Sequence, residues 1–171
     1  MNNVKIFIDG SNIFHGSRDY SRIVGNDIAV DYVKLRDLLL DGREHAGTLF
    51  FAAHPTEIPE RQQAFHHRLQ NQGFELILRP LKTGPGRERP YEKGVDVALA
   101  TQLLLEGIRG NMDVCILVSG DSNYVEAVKE LRNMGIRVEI AGFKLSVGDE
   151  LIAVADEFTM LDDILESITM P

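Results

Sequence analysis

Val4-Lys5-Ile6-Phe7-Ile8-Asp9-Gly10-Ser11-Asn12 and Val114-Cys115-Ile116-Leu117-Val118-Ser119-Gly120-Asp121 are two short apolar runs, each ending in a turn that carries an aspartate. Apolar runs of this length, β-branched in part and bounded by Gly, Ser and Asn, read as strands buried on both faces. Residues 48–53, 74–79 and 136–141 add three more such runs, with helical patterns between them. Asp31 predicts an N-cap for a helix over residues 32–40, and residues 57–70 place Ile58, Phe65 and Leu69 on one side. Residues 95–108 are apolar nearly all round and predict a helix packed deeply against the sheet, while residues 123–134 read as a helix closed by Gly135. This alternation predicts a single α/β domain over residues 1–171, three-layered, with a mostly parallel sheet and helices on both faces.

In such a sheet the residues just after the strands gather at the carboxyl edge, where ligands bind. Asp9 and Asp121 both fall there. Asp96 reaches the same rim from the other direction, because a helix that precedes a parallel strand runs antiparallel to it and starts at that edge. Each aspartate alone has an ordinary explanation. Asp9-Gly10 is a turn pair, Asp96 answers a helix dipole, and Asp121 caps the helix that follows, although Asn123 to Glu126 forms a near capping box there as well. Turn chemistry does not require all three at one edge. Carboxylates about 4 Å apart repel by about 4 kcal/mol at an effective dielectric near 20, a cost that a divalent cation with hard oxygen ligands offsets.

The bulk composition narrows the alternatives. With 171 residues, 44% hydrophobic and 26% charged, the chain can bury one core. No apolar run approaches the ~20 residues of a membrane span, and the expectation is a cytoplasmic protein with no membrane partner. One cysteine, Cys115, sits within a strand and reads as a buried core thiol, so neither an internal disulfide nor a thiolate cluster is expected. The net charge of −8 argues against nucleic acid until its distribution is considered. Residues 142–171 hold Lys144 against seven acids and so carry −6 of it. Between Arg79 and Lys93 the bases Arg79, Lys82, Arg87, Arg89 and Lys93 outnumber Glu88 and Glu92. Within that stretch, residues 80–92 are interrupted by Pro80, Gly84, Pro85, Gly86 and Pro90 and predict a long irregular loop or splayed hairpin.

Other chemistries fit less well. No histidine follows His67, which removes a serine esterase built on Asp121-Ser122, and Gly10 and Gly16 are too far apart for a dinucleotide fingerprint. Ser11 stands where an aspartate-based phosphatase wants its second acid. His15, just beyond the first turn, reads as an ordinary partly exposed residue with lining of the cleft as the alternative, Tyr124 as packing under the site with base stacking as the alternative, adjacent His66 and His67 as pointing in different directions, and Ser146 with Asp149 as a helix-start capping pair. The apolar Leu161, Ile164, Leu165 and Ile168 of the acidic terminal segment leave open a docking face for a second copy of the chain or another protein.

Phe7-Ile8-Asp9-Gly10-Ser11-Asn12, Lys93-Gly94-Val95-Asp96-Val97 and Val118-Ser119-Gly120-Asp121-Ser122-Asn123-Tyr124, in this order and spacing, resemble the NYN domain, the LabA-like branch of the PIN-like nucleases. The resemblance covers nearly the whole chain. It implies a Rossmann-like sheet of strand order 3-2-1-4-5, a Mg²⁺ or Mn²⁺ site and endonucleolytic cleavage of RNA. On that basis Asp9, Asp96 and Asp121 would be the catalytic metal-site carboxylates. Asn12 would orient the first turn or a phosphate, and Lys82, Arg87, Arg89 and Lys93 would track the RNA backbone. The family commonly has a second acid two residues after the one matching Asp121, and this chain has Asn123, whose amide oxygen could hold a metal-bound water. It often has an acid where Gln102 stands, six residues after Asp96, a step that turns the side chain away from the site. The loss of charge at Asn123 implies an alternative: a catalytically weakened module on the same fold that binds RNA or a protein.

Overall fold

The computed structural model describes residues 3–170. Strands β1 (Val4–Asp9), β2 (His45–His54), β3 (Phe74–Pro80), β4 (Val114–Val118), β5 (Arg137–Gly142) and β6 (Glu157–Met160) form one sheet in the order β3-β2-β1-β4-β5-β6. Every pairing is parallel. The expected five-strand order is therefore present and extended at one edge by β6, too short and polar to stand out in the sequence.

Side chains alternate across a strand, and the alternation here divides the core in two. Ile6 and Ile8 of β1, Ile116 and Val118 of β4 and Phe50 of β2 face helices α1 (Gly10–Val24), α2 (Tyr32–Leu40), α3 (Glu60–Asn71) and α7 (Leu165–Ile168). Phe7, Leu49, Phe51, Cys115 and Leu117 face α4 (Val95–Ile108), α5 (Val125–Asn133) and α6 (Asp149–Val154). Covering both faces accounts for the runs of unbroken apolar residues in β1 and β4.

Several boundaries differ from the sequence expectation for identifiable reasons. The Asp9 to Asn12 turn is the start of a fifteen-residue helix, with Asp9 as its N-cap and Gly25, at φ +74°, closing it. Gly10, Ser11, Gly16 and Ser17 are weak helix formers, and they concealed it. Gly10 is there for space: a Cβ would stand 2.5 Å from the Phe50 ring and 2.9 Å from the Phe51 carbonyl oxygen. Helix α3 starts at Glu60 because Pro59, lacking an N–H, takes the N-cap position. The near capping box at Asn123 is not used. Asp121 instead caps a 3-10 turn, Ser122–Tyr124, that leads into α5. Helix α6 has Gly148 as its N-cap and no side-chain cap bond, which corrects the Ser146–Asp149 pairing. Helix α4 runs over the expected residues but is buried on one side only, with Val97 64% and Ile108 70% exposed.

The terminal segment folds back onto the domain. Leu161, Leu165 and Ile168 are buried in the same core as β1 and α2, so they are not a docking face for a partner. Two of its acids are neutralised by neighbours, Asp156 by Arg132 and Glu157 by Arg137.

Candidate functional site

β1 and β4 lie side by side with Ile8 opposite Val118, and the order in which the chain adds strands to the sheet reverses between them. Asp9, one residue beyond that pair, is only 6% exposed. Its Oδ1 accepts the Asn12 backbone N–H at 3.1 Å, and its Oδ2 accepts the Ser119 hydroxyl at 3.1 Å and the Tyr124 hydroxyl at 3.0 Å. Burial pushes the Asp9 carboxyl above its ordinary value, the three donors pull it back, and the charge of Asp121 adds to the rise. Burial likewise raises the Tyr124 phenol, which therefore stays protonated and donates.

Ser119 joins the two carboxylate turns. Its hydroxyl donates to Asp9 and accepts the Asp121 N–H at 3.2 Å. Asn12 makes a second tie, accepting the Gly120 N–H on its Oδ1 at 2.9 Å. Asp121 caps its own turn through the Asn123 N–H at 2.9 Å. Asp121 thus has the ordinary capping role expected of it, Asp9 caps a helix where a turn pair was expected, and the cavity beside them comes in addition.

That cavity, of about 490 Å³, opens at the carboxyl edge. Asp9, Asp96 and Asp121 all line it, as do Asn12 and Lys93. Gly94, left-handed at φ +83°, begins α4 and brings Asp96 to the rim in the helix's first turn. Lys82, Arg87 and Arg89 stand outside, exposed on the neighbouring loop. The loop is partly ordered by a backbone pair: Lys82 N–H to Tyr91 O at 2.8 Å and Tyr91 N–H to Lys82 O at 2.9 Å. Arg87 lies over the Tyr91 ring at 4.0 Å. Asn123 is exposed and is not among the residues lining the cavity; its amide nitrogen is 3.5 Å from Asp121 Oδ2. Gln102 donates to Glu106 at 3.1 Å, away from the cavity, in keeping with its six-residue step from Asp96.

Sequence reasoning missed four lining residues that carry functional groups: Ser11, Asp19, Glu92 and Ser146. His15, for which lining of the cleft was the alternative to an ordinary exposed position, lines the cavity as well. Asn12, His15, Gly16 and Asp19 follow helical i, i+3, i+4, i+7 spacing, a signal visible only once α1 is recognised. In the sequence, Glu92 reads as a counter-charge to the bases of the loop. Burial raises its carboxyl, with Ser11 and His15 acting to lower it and Asp9 and Asp96 adding to the rise.

Five carboxylates, Asp9, Asp19, Glu92, Asp96 and Asp121, therefore border one cavity with Lys93 and His15 as the basic lining groups. Among the described residues no three His, Cys, Asp or Glu side chains converge closely enough to chelate an ion directly. The donors are hard oxygens, and the one cysteine is buried in β4 with its thiol pushed up by burial. This donor chemistry suits Mg²⁺ or Mn²⁺, ions that bind through one or two carboxylates and keep waters between themselves and the rest.

A parallel sheet covered by helices on both faces, with an acidic cavity where its strand order reverses, is an architecture that PIN-like domains share with other Rossmann-like folds. The family model described as the NYN domain matches residues 3–162, and the chain belongs to that family. Among solved structures, a protein of unknown function from Vibrio parahaemolyticus RIMD 2210633, VPA0982, is similar at a TM-score of 0.80 and 22% identity, covering 99% of this chain and 96% of that one. That likeness shows the fold. The structure of LpCGTa in complex with UDP aligns with a TM-score of 0.34 and 11% identity, over 82% of this chain and 31% of that one, a level that carries no argument. No curated protein matches the chain. Among the described residues, no helix is long and apolar enough to cross a membrane.

Proposed function

We propose that the protein is a Mg²⁺- or Mn²⁺-dependent endoribonuclease that cleaves RNA phosphodiesters in this cavity. The observation that carries the reading is the meeting of Asp9, Asp96 and Asp121 in one cavity of a NYN-family chain. A bound divalent cation would supply charge neutralisation on the phosphoryl oxygens and a more acidic water. The chain's own residues do the rest. Ser119, Tyr124 and the Asn12 N–H hold Asp9 in one orientation, so its carboxylate needs little reorganisation on binding a cation. Lys93, on the cavity wall, is placed to meet a phosphate, and Lys82, Arg87 and Arg89 extend positive charge from the same loop along the path of a strand. Asn12, engaged with Gly120, acts through the turn it holds and leaves phosphate contact to the lysine.

Incubating the protein with single-stranded RNA and Mn²⁺ tests this. Cleavage is expected to stop on chelation and to fall at least about a hundredfold in Asp121→Asn, the scale for losing one preorganised electrostatic group. RNA binding with no cleavage, or cleavage untouched by the substitution, would favour the binding module that the neutral Asn123 suggests.

A further inference from the structure

We infer that Glu92 is a ligand-side carboxylate of the cation site, carried to the cavity wall by the basic loop. The inference rests on reading the cavity as a cation site.

The backbone places Glu92 there. Residue 91 is pinned by its paired hydrogen bonds to Lys82, and α4 starts just after Gly94, so Glu92 is held between two fixed points on the cavity wall. Across from it are Ser11, in the first turn of α1, and Asp9. Glu88, in the same loop, does not line the cavity. Ser11 and His15 favour its charged form, but Asp9 and Asp96 repel it, and it would repel an RNA phosphate as well, which argues against a direct RNA contact. A cation in the cavity turns that repulsion into attraction.

The test is a calorimetric titration of Mn²⁺ alone into the full chain, metal-free at the start, comparing wild type, Glu92→Gln and Glu88→Gln. Glu92 is exposed enough for the substitution to leave the fold intact, and circular dichroism checks this. Glu92→Gln is expected to weaken Mn²⁺ binding about tenfold or more, in the range for loss of a supporting ligand group, while Glu88→Gln leaves it unchanged. Wild-type affinity in Glu92→Gln, or equal weakening in both variants, would overturn the assignment of Glu92 and leave the cation site standing. No Mn²⁺ binding by wild type would overturn the cation site itself, and this inference with it.

Discussion

Asp9 ends a strand, caps a helix and lines a cavity, and its three hydrogen-bond donors make these roles compatible. A carboxylate this buried is stable only while its lone pairs are occupied, and Tyr124 occupies one from below the site. Tyr124→Phe keeps the ring in the core and removes only the hydroxyl. It is expected to cost about 1.5–3 kcal/mol, the range for a hydrogen bond to a charged group, read as a lower urea midpoint at pH 7. An unchanged midpoint would mean that the bond carries nothing. At this scale the meeting of Asp9, Asp96 and Asp121 at one rim was legible in the sequence, because each sits at the end of an element whose type was plain. The sequence was a poor guide to Glu92, and it placed Tyr124 as a packing residue without showing what its hydroxyl does. Glu92 is surrounded in the sequence by Arg89 and Lys93, so local charge counting pairs it with them, and only the loop's closure through Tyr91 turns it toward the cavity. Tyr124 looks like any aromatic near a helix start until its hydroxyl is seen against a residue 115 positions away.

Among the elements, α4 connects the site to the far end of the sheet. Asp96 stands in its first turn, and near its other end buried Glu106 holds Lys5 of β1, Asn111 and Arg109. Burial alone would raise the Glu106 carboxyl, but these partners outweigh it and hold it below its ordinary value of 4.5. Because the folded value lies below the unfolded one, the contribution to stability is full above about pH 4.5 and is lost as pH falls through the depressed folded value. Glu106→Gln is therefore expected to flatten part of the acid limb of the stability profile. At pH 7 it should cost roughly 3 kcal/mol, since it leaves Lys5 without its partner. Urea unfolding at pH 7 and below pH 4.5 measures both, and an acid limb identical to wild type would contradict the account. Elements with a strong apolar pattern, such as α4 and β4, were legible in the sequence to the residue. Helix α1 was not, because its inner face is Gly10, Gly16 and Ser17 beside a single large residue, Ile13. Strand β6 was not, because four residues at a sheet edge carry too little pattern to separate from a loop.

The molecule as a whole separates its charges. The net −8 is concentrated in the last thirty residues, yet those residues are part of the domain, with apolar side chains in the core and Asp156 and Glu157 paired to arginines. The bases of the 80–92 loop are exposed beside the cavity, and the cavity itself is strongly acidic. A cavity with five carboxylates would repel the phosphates that the adjoining loop would attract, and under the proposed function a divalent cation between them would resolve the conflict. Diffraction from crystals soaked in Mn²⁺, collected at the manganese absorption edge, examines that step without depending on activity. An anomalous peak about 2.1 Å from a carboxylate oxygen of Asp9 or Asp121 is the predicted result. A map with no peak in the cavity at saturating Mn²⁺ would contradict it.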